Sequence, residues 1–224
     1  MSMRGEMERT RAKENLLEKA KGKKAVILGT GISLESYNSN KYDEYVKIAL
    51  DNAIKVFDAD YCIFRDHRKA NAISFNTFRR PNVQFVLDKD VMEYVYNPPV
   101  STYMFGESIK DRFSKSKPIL WDDFEKCSMA YALELCKIMG ILEIDVYGAD
   151  FFYYKNKKYA FDLGRDYLTP PPSDSREFKE NKFTNTYLDN QVLEIQGILN
   201  SGFGITINNK SEESRFGWLA EIAE

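Results

Sequence analysis

A chain of 224 residues with 43% hydrophobic and 29% charged side chains can bury one sizeable core, and its composition excludes a disordered or fibrous protein. Its 32 basic and 34 acidic residues leave a net charge of −2, so it lacks the basic surplus with which duplex binders neutralise phosphates, and no nucleic-acid partner is expected. Three cysteines (Cys62, Cys127 and Cys136) with one histidine and no CxxC pair argue against a zinc site and point to a reducing compartment.

Residues 6–21 read as a helix, with Leu16, Leu17 and Ala20 on a narrow apolar stripe and Gly22 as its stop. This opening stretch is charged and lacks the apolar middle of a signal peptide. No apolar run approaches the length of a membrane span. The expectation is a cytoplasmic protein, with peripheral attachment to a membrane left open.

The chain then alternates short apolar runs with polar ones. Residues 25–28 (AVIL) stop at Gly29, as a buried strand does. Residues 45–50 lead into Asp51, Asn52 and Ala53, and residues 61–64 lead into Arg65, Asp66 and His67. Residues 83–87 form a fourth run. Stretches 36–45 and 66–80 are polar and read as loops or short helices. Residues 88–118 mix Pro98, Pro99, Gly106 and Pro118 with aromatic rings, which predicts a lid over a cleft. The clearest helix spans 122–139, with Asp122 and Asp123 at its start and Gly140 at its end. ILEIDVYGAD follows as another buried strand. The polar stretch 163–182, with Pro170, Pro171 and Pro172, is a second lid candidate. A helix over 187–200, a strand over 204–208 and a closing helix over 211–224 complete the pattern. The predicted organisation is an N-terminal helix (1–23), a nucleotide-binding domain (24–210) and a C-terminal helix (211–224). The fold class is α/β: a doubly wound, mostly parallel Rossmann-like sheet with helices on both faces and a small irregular lid.

In such a sheet the residues just past each strand face a common crevice, and four groups there bear chemistry. Gly29, Thr30, Gly31 and Ser33 form a turn whose backbone amides could meet a phosphate or ribose without a side chain in the way. The third glycine of the dinucleotide fingerprint is missing, so a plain strand-to-helix turn is an equal reading. Asn52 offers both a donor and an acceptor to a base or sugar, or else serves a turn. Asp66 is placed to hold magnesium or a ribose hydroxyl. His67, the sole histidine, is a general-base candidate by its ordinary pKa. Asp150 follows Gly148 and Ala149 and precedes an aromatic run with Tyr153, Tyr154 and Tyr159. Those hydroxyls could bind phosphate oxygens, or the rings could pack in a hairpin. Lys155, Lys157 and Lys158 read as a solvated loop.

Taken in order, these residues resemble the bacterial sialyltransferases of glycosyltransferase family 42. The matching positions are Gly29, Gly31, Ser33 and Leu34 in the turn, Asn52 after the second strand, Ser128 in KCSMAYALELCKIMG, and the block GADFFYYKNKKYAFD. The resemblance implies a CMP-sugar donor and a glycan acceptor, with no cofactor and no metal. It gives the nucleotide to Gly29, Thr30, Gly31, Ser33, Asn52 and Ser128, and its phosphate to Tyr153 or Tyr154 together with Tyr159. It also implies a homo-oligomer. Three departures stand out: Thr30 replaces an asparagine, Cys127 and Met129 replace a threonine and a glycine, and FKENKFTNTYLDN offers Thr184 where the family has its catalytic histidine. Asp66, His67 and Asp150 are therefore the base candidates.

A second resemblance, on IALDNAIKVFDADYCIFRD, is to the DUF115 group, which includes 6-hydroxymethylpterin diphosphokinases. It implies magnesium held by Asp66 and Asp150. A third reading is a non-catalytic nucleotide- or glycan-binding relative.

Overall fold

The computed structural model describes residues 17–18, 20–64, 82–88, 119–121, 127–149, 193, 195, 197 and 204–210. Its centre is a seven-stranded sheet: β1 (Ala25–Leu28), β2 (Val46–Leu50), β3 (Tyr61–Phe64), β4 (Gln84–Asp88), β5 (Ile119–Trp121), β6 (Glu143–Tyr147) and β7 (Thr206–Asn209). The spatial order is β5-β4-β3-β2-β1-β6-β7, and all of these pairings are parallel. The α/β class and parallel sheet expected from the sequence are what the chain adopts.

The inner strands β1 (AVIL) and β3 (YCIF) are apolar and buried throughout because both faces of the sheet are covered there. Side chains alternate along each strand, so neighbours go to opposite cores. One core contains Ala25, Ile27, Ile48, Leu50, Ile63, Ile144 and Val146 and packs against helix α1 (Ser128–Ile138). The other contains Val26, Leu28, Ala49, Cys62, Phe64, Phe85 and Tyr147. It is covered by residues of 3-10 segments and their flanks, among them Leu34, Tyr42, Ala53 and Ile54. Helix α1 is buried on nearly every side, as a helix without a polar face must be. Fully burying Leu133 or Leu135 contributes roughly 2 kcal/mol each.

Two details differ from the sequence reading. The main helix begins at Ser128, because Cys127 is extended (φ −74, ψ 159) and an extended residue interrupts a helical run. Strand β5 was not anticipated, since three apolar residues carry no period of their own. The final strand falls at Thr206–Asn209, and Leu17, Glu18 and Ala20 are helical as expected. Apart from Asp88, which ends β4, the lid candidates 88–118 and 163–182 lie outside the described residues, as does the helix expected at 211–224.

A buried polar network fastens the segment after β1 to β6 and β7. The Tyr42 hydroxyl donates to Asp145 Oδ2 at 2.9 Å and lies 2.9 Å from the Tyr147 hydroxyl. Tyr42 has one hydroxyl hydrogen and the carboxylate takes it, so Tyr147 is the donor in the second bond. Asn208 Nδ2 donates to Asp145 Oδ1 at 2.8 Å, and Lys210 Nζ lies 3.2 Å from Oδ2. Burial, then the bonds to Tyr147 and Asp145, push the Tyr42 phenol far above its ordinary range. Tyr37 stacks on Tyr42 with ring centroids 5.3 Å apart and meets Tyr147 edge-on.

The Tyr37 hydroxyl is buried and bonds to no described residue. Burial first, then the nearby Tyr147 and Asp43, push its pKa up to about 12. The folded state thus holds this proton more tightly than the unfolded chain. The associated stability is complete below about pH 10 and is lost as pH rises towards about 12. Tyr37→Phe removes an unsatisfied hydroxyl, so stability at neutral pH should stay level or rise by about 1 kcal/mol, and the alkaline decline should become shallower. Urea unfolding across that pH range checks both. A loss above about 1 kcal/mol at neutral pH would mean that the hydroxyl has a partner.

Candidate functional site

The sheet reverses its direction of growth at β1: β2 to β5 extend on one side, β6 and β7 on the other. The connections leaving β1 and β6 therefore diverge, and in open parallel sheets such a switch point is where ligands bind. Two loop segments meet there, residues 29–33 after β1 and residues 148–149 after β6. The Gly29 N–H donates to the Tyr147 carbonyl at 2.8 Å, and the Gly31 N–H to the Gly148 carbonyl at 2.8 Å. In return the Gly148 N–H donates to Ser33 Oγ at 2.7 Å. A Cβ on Gly29 would overlap the Gly148 carbonyl oxygen, and one on Gly148, whose φ is +69, would stand 2.7 Å from the Gly29 carbonyl carbon.

These contacts correct the expectation that the amides of the glycine turn meet a phosphate or ribose: the Gly29 and Gly31 N–H groups are taken up by the Tyr147 and Gly148 carbonyls, which leaves the turn a structural role. Gly29 and Gly31 let two backbones touch, and their N–H groups are engaged by the end of β6. Ser33 clamps the same junction with its side-chain oxygen, and Leu34, 1% exposed, anchors the turn in the core. Thr30 lies half-buried between the two glycines.

The neighbouring edge of β2 holds a second polar group. The register Leu28↔Ala49 brings the residues after β1 and β2 to one rim. Asp51 opens a 3-10 segment (Asp51–Lys55) with φ 50, and among the described residues no other non-glycine has positive φ. Asp and Asn tolerate this left-handed conformation better than most residues. Ser128 Oγ, at the first turn of α1, donates to Asp51 Oδ2 at 3.3 Å, and Cys62 Sγ donates to the Asp51 carbonyl at 3.7 Å. Cys127 supplies no side-chain cap to α1, so a carboxylate at this helix start suits its positive end. Asn52 is 2% exposed, and its Oδ1 accepts no hydrogen bond among the described residues.

Of the site residues expected from the sequence, Gly29, Thr30, Gly31, Ser33, Asn52 and Ser128 follow or join the carboxyl ends of β1 and β2 at this rim. Asp66, His67, Asp150, Tyr153, Tyr154 and Tyr159 lie outside the described residues. Among the described residues, no group of three His, Cys, Asp or Glu side chains is placed to hold a metal ion, and no helix is long and apolar enough to cross a membrane. The sequence reading gave the role at the end of β2 to Asn52 and none to Asp51. The available signal was a carboxylate directly after a strand buried on both faces.

Substitution at the loop junction should be severe. Alanine at 148 must adopt a left-handed backbone, costing about 1–2 kcal/mol, and must also push against the Gly29 backbone, adding about 1–3 kcal/mol. Gly22 has a similar φ of +73 with nothing within 4 Å of an added Cβ, so Gly22→Ala should lose only the first amount. Urea unfolding of the two variants should separate them by about 1–3 kcal/mol. Equal losses would show that the loops do not constrain each other.

No protein-family model matches the chain, and no curated protein matches it. Two solved structures share its fold. The crystal structure of the sialyltransferase CST-II in complex with a trisaccharide acceptor and CMP aligns with a TM-score of 0.52 at 12% identity, covering 90% of this chain and 86% of that one. The structure of CstII from Campylobacter jejuni with the substrate analogue CMP-3FNeuAc aligns with a TM-score of 0.51 at 14% identity and the same coverage. At these identities the likeness is one of fold.

Proposed function

We propose that the chain binds a CMP-sugar at the rim where β1 and β6 diverge and transfers the sugar to a hydroxyl of a glycan acceptor. The observation that carries this reading is the gathering of Thr30, Asn52 and Ser128 past the carboxyl ends of β1 and β2, at the switch point of the sheet. The two solved neighbours hold CMP or a CMP-sugar analogue. The ordered residue matches to family 42 run through these same loops.

In the proposed reaction the acceptor hydroxyl oxygen bonds to the anomeric carbon as the bond from that carbon to the phosphate oxygen breaks. CMP leaves with the electron pair, and the hydroxyl proton passes to a base. Asp66, His67 and Asp150 are the base candidates, because the chain's one histidine lies at position 67 and none lies in 163–190. Tyr153 or Tyr154, with Tyr159, would meet the charge on the departing phosphate through their hydroxyls. No metal is required.

Titration calorimetry with CMP and CDP should show saturable binding that EDTA leaves unchanged. Absence of binding at about 1 mM ligand ends this reading, and binding abolished by EDTA transfers the site to a magnesium-dependent diphosphokinase of the DUF115 kind.

Among Asp66→Ala, His67→Ala and Asp150→Ala, the variant lacking the base should lose transfer by about 10²–10⁴-fold while retaining CMP binding. Three fully active variants would exclude all three residues as the base. The missing loop histidine also favours a second reading, a binder without turnover. It would show CMP affinity with no sugar transfer in the unaltered protein.

A further inference from the structure

The end of β6 is held by backbone bonds from one side only. The register of β6 with β7 stops at Val146↔Asn209, and the last bond between them runs from the Lys210 N–H to the Val146 carbonyl. Past that point the carbonyls of Tyr147 and Gly148 meet the N–H groups of Gly29 and Gly31, all on the β1 side. A strand end paired on one side opens more easily than one paired on both.

The Tyr147 side chain supplies a second anchor. Among the described residues its hydroxyl has one hydrogen-bond partner, the Tyr42 hydroxyl at 2.9 Å. Tyr42 donates to Asp145 Oδ2, and that carboxylate is fixed in turn by Asn208 and Lys210 at the end of β7. Tyr42, Asp145 and Tyr147 are all buried, so no solvent stands ready to replace a missing member of the chain of bonds. Tyr42 is its middle link, between the fixed carboxylate and the last residue of β6. It also belongs to the segment that leaves the glycine turn. The anchor and the backbone contacts at Gly148 therefore close one circuit: turn, Tyr42, Tyr147, Gly148, turn.

We infer that Tyr42 is a positioning residue for the rim: acting through Tyr147, its hydroxyl keeps Gly148 seated against the glycine turn. Asp150, a base candidate, is the second residue after Gly148 in the chain. That bearing on the reaction rests on the proposed function, whereas the positioning itself does not. A merely structural Tyr42 would add to the stability of the whole sheet without favouring the rim.

The test is amide hydrogen exchange of the full chain, followed residue by residue by NMR, in the unaltered protein, Tyr42→Phe, Tyr147→Phe and the double variant. Phenylalanine at 42 keeps the ring that packs on Tyr37, Tyr45 and Tyr147 and removes only the hydroxyl. Loss of one buried hydrogen bond predicts about tenfold faster exchange of the Gly31 and Gly148 N–H groups. Amides of β3, which the network's hydrogen bonds do not reach, should keep their rates. Tyr147→Phe should give the same increase, and the double variant no more than either, because the two hydroxyls form one bond. Unchanged rates at Gly31 and Gly148 overturn the inference, and so does an equal increase throughout β3. Increases that multiply in the double variant overturn it as well, since Tyr42 would then act without Tyr147. Should Tyr42→Phe not fold, Tyr147→Phe decides alone by speeding Gly31 and Gly148 while sparing β3, or failing to. No nucleotide is added, so a protein that does not bind CMP loses the proposed function and can still pass this test.

Discussion

Two backbones in contact at one point organise this molecule. Where β1 ends, Gly29 lies against the Gly148 carbonyl closely enough that no side chain fits between them. The hydrogen bonds of Gly29, Gly31 and Ser33 across the gap extend the β1–β6 ladder beyond the strands themselves. Loops past strand ends are usually the most variable and mobile parts of a parallel sheet. Here two of them are tied to each other, so the rim has a defined shape. For the proposed donor, such pre-organisation would lower the ordering entropy of binding.

The buried network on the 3-10 side of the sheet serves the same end from below. Asp145 receives Tyr42, Asn208 and Lys210 and thereby joins the segment after β1 to β6 and β7. A carboxylate with so little exposure is tolerable only when its oxygens are met by donors and a cation. The network holds Tyr42 and, through ring stacking, Tyr37, and these residues follow the glycine turn in the chain. Rim and core are therefore coupled: the turn cannot shift without disturbing a polar cluster that is expensive to leave unsatisfied.

At the β2 edge the arrangement is different in kind. Asp51 adopts a backbone conformation that non-glycine residues avoid and brings a carboxylate to the start of α1. Departures of this sort persist where the surroundings over-determine them, and they concentrate at ligand sites. The pairing with Ser128 also links two residues far apart in sequence. The family 42 resemblance singles out Asn52 and Ser128, and the geometry adds Asp51 to the same rim.

Much of this was legible in the residues alone. Continuous apolar runs such as AVIL and YCIF can be buried on both faces only in a parallel sheet covered on two sides, and the chain builds one. The order of motifs placed Gly29 and Asn52 just past strands, and the structure has them there. Local sequence could not place the start of α1 at Ser128, because Asp122 and Asp123 are equally good helix-opening residues. Nor could it reveal β5, whose three residues have no readable period. Hydrophobic pattern and turn chemistry are encoded residue by residue, and so the strands, the glycine turn and the candidate polar positions follow from sequence. Which backbone the glycines touch, and which carboxylate Ser128 meets, depends on strand order. That order is decided only when the whole sheet packs, since only then do Gly29 and Gly148, or Asp51 and Ser128, become neighbours.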